Sequence, residues 1–503
     1  MVRTASTKPH IRRQNASRKV EQLKYRHNPL CSDFNLNVSS SLVRINARVL
    51  PPPLIQYQQG TVQPANGQWR AKQGASSPAE IFSWAICCTA RLHEEAVKTF
   101  ARDLISAFER ARIEMHMKYP VLYHAEEHRL EREMDRIASE FSKNTRIKMR
   151  SPRLQLLVII RERQETAGYN MIKRAGDLRL GIATQVCLAK HCGPKGRGRD
   201  MYCDNVVLKI NAKLGGHNGL VAKYSQGPAK GVVPDVDFLD VPHVVLGADV
   251  THPMPGGKGP SIAALVCTRD RQGSQFSAAL RSQTGRKEMI SDIGDMFKEV
   301  YRVWYDNFKG KVHARKIIMF RDGVSEGQFQ EVMQEEVAGI RRACVDIGRD
   351  MRPKITYIIV TKRHHTRFFP TKREEADRSG NIPPGTVVDT DITSDEFYDF
   401  YINSHAGIQG TNKPSKYTVL IDENNIPTDA LQGYIYRLTH SFARCNRPVS
   451  MVHSAYYAHL LAFRGRAYLG DDGSDSASQA SSGSSVPPVP RVHPSHRGRL
   501  FFC

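Results

Sequence analysis

Four residues in the second half of the chain have the types and neighbours needed to hold divalent cations. Asp249 lies inside the apolar run "VVLGADVTHP", residues 244–253. An ionised carboxylate in such surroundings is costly unless a cation or hydrogen-bond donors meet it. Asp322 closes the run "KIIMFRDG", where the glycine marks a turn out of a sheet; Glu288 begins the helix expected after "QFSAALRS"; and His459 sits in the helical stretch "HSAYYAHLLAFRGR". Carboxylates at the ends of neighbouring strands, joined by a further ligand from a helix, can hold two divalent cations about 4 Å apart. Such a pair activates a water on one side of a phosphodiester and stabilises the leaving oxygen on the other. Strand-end aspartates also cap turns and helices, and helical histidines also occur as satisfied core residues, so residue types alone leave both readings open.

The elements that would position these groups are legible as hydrophobic periodicity. "IFSWAICC" reads as a strand, followed by a helix with Val97, Phe100, Leu104, Phe108 and Ala111 on one face. A second helix carries Leu130, Met134, Ile137 and Phe141, and "LQLLVII" at 154–160 reads as the next strand. This alternation predicts a parallel sheet covered by helices. The second half adds "VPHVVLGADV", "SIAALVCT", "QFSAALRS", "KIIMFRD", "ITYIIVTK" and "YTVLIDE" as strands, with a helical pattern over 288–308 through Ile290, Ile293, Phe297, Val300 and Trp304. A boundary is therefore drawn near residue 235.

Flanking segments read differently. Residues 1–30 hold eight Lys and Arg against one acid, Glu21, with little periodicity, so 1–32 is expected to be a basic, poorly ordered arm or the remnant of a larger preceding domain. In "RVLPPPLIQYQQG" three prolines forbid a helix and suggest an extended linker. The stretch 471–490 has no Lys or Arg and is rich in Ser, Asp and Pro, so 471–492 is expected to be flexible, although the chain then ends apolar in "RGRLFFC".

The formal net charge of +23 and a pI near 9.7 point to a polyanionic partner, either nucleic acid or an acidic membrane surface. No run of about 18 apolar residues and no signal-peptide pattern is present, so an intracellular, cytoplasmic or nuclear, protein without a membrane span is expected. The ten cysteines include no CxxC pair and no structural-zinc spacing, and read as reduced, mostly buried thiols.

Six segments, "LGADVTHP", "RDGVSEGQF", "KRHHTRFF", "SGNIPPGTVVDT", "FYINSHAGIQGTNKPSKYTVL" and "AYYAHLLAFR", together closely resemble the PIWI domain of eukaryotic Argonaute proteins over residues 235–470. "GYNMIKRAGDLRLGIATQ" and "LKINAKLGG" resemble the family's MID domain, assigned to 79–234, and "RVLPPP" resembles the linker before it, within 33–78. The resemblance implies an α/β architecture, with a Rossmann-like MID domain followed by a ribonuclease H-like PIWI domain. It also implies a small guide RNA and a complementary target RNA as partners, with silencing-complex proteins besides, and Mg²⁺ or Mn²⁺ as the cofactor. The family's catalytic and metal-binding set falls on Asp249, Glu288, Asp322 and His459. Its pocket for the guide's 5′ phosphate falls on Tyr169, Lys173, Gln185, Lys209 and Arg464, with Lys213 one turn beyond Lys209. Arg464 lies five residues after His459, about 140° around a helix, so one helix could serve both sites. The tail 493–503 is expected to dock near the MID–PIWI junction, and "RERQETAG" at 161–168 stands where relatives read the first guide base. The family's N-terminal and PAZ domains have no counterpart in these motifs. A guide-RNA-binding module that silences without cutting, or an inactive truncated member of the family, is the alternative function.

Overall fold

The computed structural model describes residues 6–39, 41–71, 74–143, 153–193, 198–222, 241–257, 259–469 and 486–503. The boundary expected near 235 and the Ser/Asp-rich stretch through residue 485 lie outside the described residues.

Two sheets organise the chain. The first has strands β1 (Trp84–Cys88), β2 (Val121–His124), β3 (Leu156–Arg161) and β4 (Ala183–Leu188) in the order β2-β1-β3-β4, all parallel. Helices α1 (Glu94–Arg110), α2 (Leu130–Lys143), α3 (Thr166–Arg174) and α4 (Arg199–Leu214) accompany it. The apolar stripe of α1 through Val97, Phe100, Leu104 and Phe108 is buried against Ile86, Val158 and Ile160, while α2 buries Leu130, Met134, Ile137 and Phe141 against Ala85, Leu157 and Ile159 on the other face. Strands covered on both faces read as continuous apolar runs, as β1 and β3 do.

The second sheet has nine strands. Its labelled members are β5 (His243–Thr251), β6 (Ser261–Thr268), β7 (Phe276–Gln283), β8 (Lys316–Asp322), β9 (Lys354–Thr361), β10 (Thr386–Val388), β11 (Tyr398–Asn403) and β12 (Ser415–Asp422). From one edge they run β10-β11-β12-β9-β8-β5-β6-β7, with Arg48–Val49 pairing outside β10. β5, β8 and β9 are mutually parallel, and the flanking pairs are antiparallel. Helices α5 (Ile293–Asn307) and α6 (Ala338–Ile347) pack on one face; α7 (Thr428–Leu438) and α8 (His453–Leu469) pack on the other.

The segment expected to be a disordered basic arm is helical instead. Residues Pro9–Gln22 form a helix with proline in its first turn, and Asn28 caps a short helix at Pro29–Asp33 through Leu30 N (3.0 Å). The long helix buries only Pro9, so its Arg, Lys, Gln and Glu content favours helix without any apolar stripe to reveal it. Thr411 Oγ1 donates to Thr7 O (2.8 Å), joining this end to the second sheet's loops. The proline-rich linker is extended as expected, and Ile55–Tyr57 pairs with Gly60–Val62 and Leu220–Val221. All ten cysteines are free thiols, eight of them buried. Among the described residues no helix is long and apolar enough to cross a membrane.

Candidate functional site

Period-two alternation along β5 sends Val245, Gly247 and Asp249 to the face covered by α8, and along β8 it does the same for Ile318, Phe320 and Asp322. The ladder pairs Ala248 with Arg321, so Asp249 and Asp322 emerge side by side at the same end of two parallel strands. α8 crosses this face, and His459 Nδ1 meets Asp249 Oδ2 at 2.9 Å. Ligand atoms of Asp249, Asp322 and His459 all lie within 4.8 Å of one another. Burial and the neighbouring Asp249 charge push the Asp322 carboxyl up to about 6. The hydrogen bond to Asp249 raises the His459 imidazole above its ordinary value. Two carboxylates this close, beside an imidazole and in a mostly buried setting, form an oxygen-rich donor set that suits Mg²⁺ or Mn²⁺.

Glu288 does not begin a helix. The helix starts at Ile293, and 284–292 is a turn in which Arg286 takes φ +66° and Lys287 N donates to Thr284 O (3.1 Å). The turn is fixed by partners that helix geometry could not satisfy. Ile290 N donates to Glu336 Oε1 (3.0 Å), and Arg321 donates to Glu288 Oε1 (2.9 Å) and to the Glu288 carbonyl (2.6 Å). His252 Nε2 holds the other oxygen, Oε2, at 2.8 Å. Glu288 is thus outside the three-residue cluster but beside it. A Cβ placed on Gly323 would lie 3.2 Å from Glu288 Oε1 and 3.8 Å from Asp249 Oδ1. Burial raises its carboxyl against the pull of Arg321 and His252.

The basic group forms where α3, β4, α4 and α8 converge. Lys173 Nζ donates to Thr184 O (2.9 Å) and Oγ1 (2.8 Å); Lys213 Nζ donates to Thr184 O (3.0 Å) and Gln185 Oε1 (2.9 Å). Lys173 and Lys213 are only 2% and 3% exposed, so both ammonium groups are held inside the fold and not at its surface. Burial and the nearby Arg464 bring the Lys173 ammonium down to about 7, and burial with Lys173 and Arg464 takes Lys213 well below the lysine range. Burial and Arg444 also lower Lys209. Lys173 Nζ stands 5.4 Å from the centre of the Tyr169 ring, whose hydroxyl accepts from Arg464 Nη2 at 3.4 Å. Burial resists ionisation of that phenol, but the Arg464 and Lys213 charges outweigh it and hold its pKa below the usual value. All six expected pocket residues therefore share one neighbourhood, and α8 carries both His459 and Arg464.

Sequence reasoning missed the residues that hold these groups in place. Asp177 accepts from Arg464 Nη1 and from Tyr468 OH (2.9 Å), and Arg321 also pairs with the fully buried Glu336. Arg321 carried the same signal as Asp249, a charge inside an apolar run. Arg444 and Lys362, the latter electrostatically linked to Asp322, had no such flag. In the 161–168 loop, Arg161 is buried and binds Glu127 and Glu165, while Glu165 caps α3 through Gly168 N (2.7 Å).

Residues 155–469 match the Piwi domain family, and residues 12–57 match the Argonaute linker 2 domain. Protein argonaute MEL1 of rice, Oryza sativa subsp. japonica, is 36% identical over 499 residues, covering 94% of this chain and 46% of that protein. The chain thus spans about half the length of this curated relative. Among solved structures, Kluyveromyces polysporus Argonaute with a guide RNA superposes with a TM-score of 0.78 at 22% identity, over 99% of this chain and 57% of that one. The C-terminal lobe of a budding yeast Argonaute gives 0.76 at 24% identity, over 91% and 95%. At these identities the likeness speaks for the fold, a large central sheet of the ribonuclease H-like PIWI kind.

Proposed function

The chain belongs to the eukaryotic Argonaute family, and from that premise we propose that it is an RNA-guided endoribonuclease of RNA silencing, acting in the cytoplasm or nucleus. The observation that carries this reading is the convergence of Asp249 and Asp322, at the ends of β5 and β8, with His459 within 4.8 Å, His459 standing on the same helix that lends Arg464 to the basic pocket. Asp249, Asp322 and His459 would hold Mg²⁺ or Mn²⁺, with Glu288 as the fourth ligand. When bound there, the metal supplies the charge that activates a water and stabilises the leaving oxygen of a phosphodiester.

The chain's own groups supply the rest. Tyr169, Lys173, Gln185, Lys209, Lys213 and Arg464 bind the 5′ phosphate of a small guide RNA. A terminal phosphate carries nearly two charges, so clustered cationic donors and an aromatic ring select it over a hydroxyl. Arg321 and His252 orient Glu288, and the half-buried ammonium of Lys362 offsets the Asp322 charge. Guide binding sets the register of the paired target, and the Asp249 end of β5 meets the phosphate to be cut, leaving a 5′ phosphate and a 3′ hydroxyl.

The test is to load the chain with a 5′-phosphorylated guide and add a labelled complementary RNA with Mg²⁺, with Asp249→Ala as control. Cleavage at one position opposite the guide, lost in the variant, is the expected result. Demonstrated guide binding without cleavage by the unmutated chain would overturn the enzyme reading and leave a guide-binding silencing module.

A further inference from the structure

Arg466 stands seven residues along α8 from His459, about 20° away around the helix axis, so both side chains leave the same face. Arg464, by contrast, is turned away towards Asp177 and Tyr169. Arg466 Nη2 donates to Thr251 O at 3.0 Å and to Pro260 O at 3.4 Å. Thr251 is the last residue of β5 and Pro260 immediately precedes β6, so one guanidinium bridges both ends of the connection that follows Asp249. No carboxylate pairs with Arg466 among the described residues, and its partners are these two carbonyls. Holding a half-buried guanidinium on carbonyls alone is unfavourable for the charge, and burial indeed lowers its pKa.

What this bridge fixes is the platform on which Glu288 rests. His252, one residue beyond Thr251, holds Glu288 Oε2 through Nε2 at 2.8 Å and meets Ser261 Oγ through Nδ1 at 2.8 Å. The same Ser261 Oγ accepts from Arg286 N at 2.8 Å, inside the turn that carries Glu288. Gly285 of that turn packs so closely on Gly259 that a Cβ would lie 2.8 Å from the Gly259 carbonyl oxygen. A continuous path of contacts therefore runs from Arg466 through Thr251 and Pro260 to His252, Gly259 and Ser261, and on to Arg286 and Glu288.

We propose that Arg466 is a positioning residue, whose guanidinium fixes the β5–β6 connection and thereby sets where the Glu288 carboxylate stands relative to Asp249 and Asp322. The inference rests on the cleavage function proposed above. It makes α8 the holder of three separate contributions: a ligand at His459, a phosphate contact at Arg464 and a clamp at Arg466.

Two variants and one cycle test it. Arg466→Met keeps the stem and removes the bridge; Arg466→Lys keeps the charge with a smaller donor group. In the metal-free protein, amide hydrogen exchange over 284–290 should quicken by about tenfold or more in Arg466→Met, with the centre of α8 unchanged. Single-turnover cleavage at saturating guide and target should slow by about 10–100-fold, with guide affinity and target KM unchanged, because a residue that fixes the backbone around the Glu288 turn acts on geometry and not on binding. Arg466→Lys should fall between, and it carries the same comparison if the Met variant does not fold. His252→Ala should add no further loss on top of Arg466→Met, since both act through one path. Unchanged exchange at 284–290, or losses that multiply in the double variant, overturns the inference. If the unmutated chain binds guide and does not cut, the cleavage reading falls, and the exchange comparison still decides whether Arg466 holds Glu288.

Discussion

Lys173 shows how a single residue couples the pocket to pH. Its ammonium is lowered to about 7 by burial and by Arg464, against about 10.4 in an unfolded chain. The cost of burying this group is fully present below about pH 7 and disappears as the pH rises towards 10.4, because only the unfolded chain stays protonated between those values. A dianionic phosphate beside Lys173 and Lys213 reverses the balance and restores their protons. Binding of a 5′-phosphorylated guide at pH 8 should therefore take up about half a proton or more, while a 5′-hydroxyl guide should take up almost none. Calorimetry in two buffers of different ionisation enthalpy measures this directly, and equal uptake for the two guides would remove Lys173 and Lys213 from phosphate recognition. The titrating groups themselves were legible in the chain only through the motifs around "GYNMIKRAGDLRLG" for Lys173 and "LKINAKLGG" for Lys213. Spacing alone could not distinguish a buried lysine from a solvated one, because the partner that holds the Lys173 ammonium is Thr184, on a strand with no special pattern. Glu288 was placed on the correct side of β7 but in the wrong conformation. The reason lies with Arg321 and Glu336, whose hold on the 284–292 turn is a tertiary effect that no local propensity carries.

At the scale of elements, the contact of α8 with β5 matters most. The helix approaches the sheet so closely at Gly247 that a Cβ there would lie 2.2 Å from the Ser454 carbonyl oxygen. Only glycine allows the first turn of α8 to sit on β5, and that seating brings His459, little more than a turn later, onto Asp249. Gly247→Ala must push the helix away or strain its first turn. The expected effect is a loss of about 1–3 kcal/mol or more of stability, typical of overpacking, together with loss of cleavage out of proportion to the fraction unfolded. Thermal melting alongside cleavage at a temperature where the variant stays folded separates the two, and an unchanged melt and rate would show that the helix is not seated at Gly247. The strands and amphipathic helices that build this contact were legible because their apolar residues recur with periods of two and of 3.6. β10 and β11 were not, since "TVV" is short and "YDFYIN" mixes polar with aromatic residues. The helix Pro9–Gln22 escaped for the opposite reason: it is polar on all sides.

Across the whole molecule, the last four residues join the two sheets. Leu500, Phe501, Phe502 and Cys503 are buried in a cluster with Phe276, Tyr457 and Leu461 from the second unit and Ala212 from α4 of the first. The carbonyl oxygens of Phe501 and Phe502 accept from Arg464 at 3.3 and 3.4 Å, and the charges of Arg444, Lys213, Arg464 and Lys209 surround Cys503. The tail thus fills space between the basic pocket and α8, and part of the surplus behind the +23 net charge is concentrated there. An extension attached after Cys503 must thread a solvated chain out of this packed site, where apolar side chains contribute roughly 1.5–3 kcal/mol each when buried. We expect a flexible Gly/Ser extension at this end to weaken binding of 5′-phosphorylated guides and to shrink their advantage over hydroxyl-ended guides. The same extension placed before Met1 should leave both affinities unchanged. Fluorescence anisotropy with the two guides on the two fusions reads the difference. If the C-terminal fusion discriminates as well as the N-terminal one, the tail packs beside the pocket without shaping it, and the pocket's selectivity belongs to α3, β4, α4 and α8 alone.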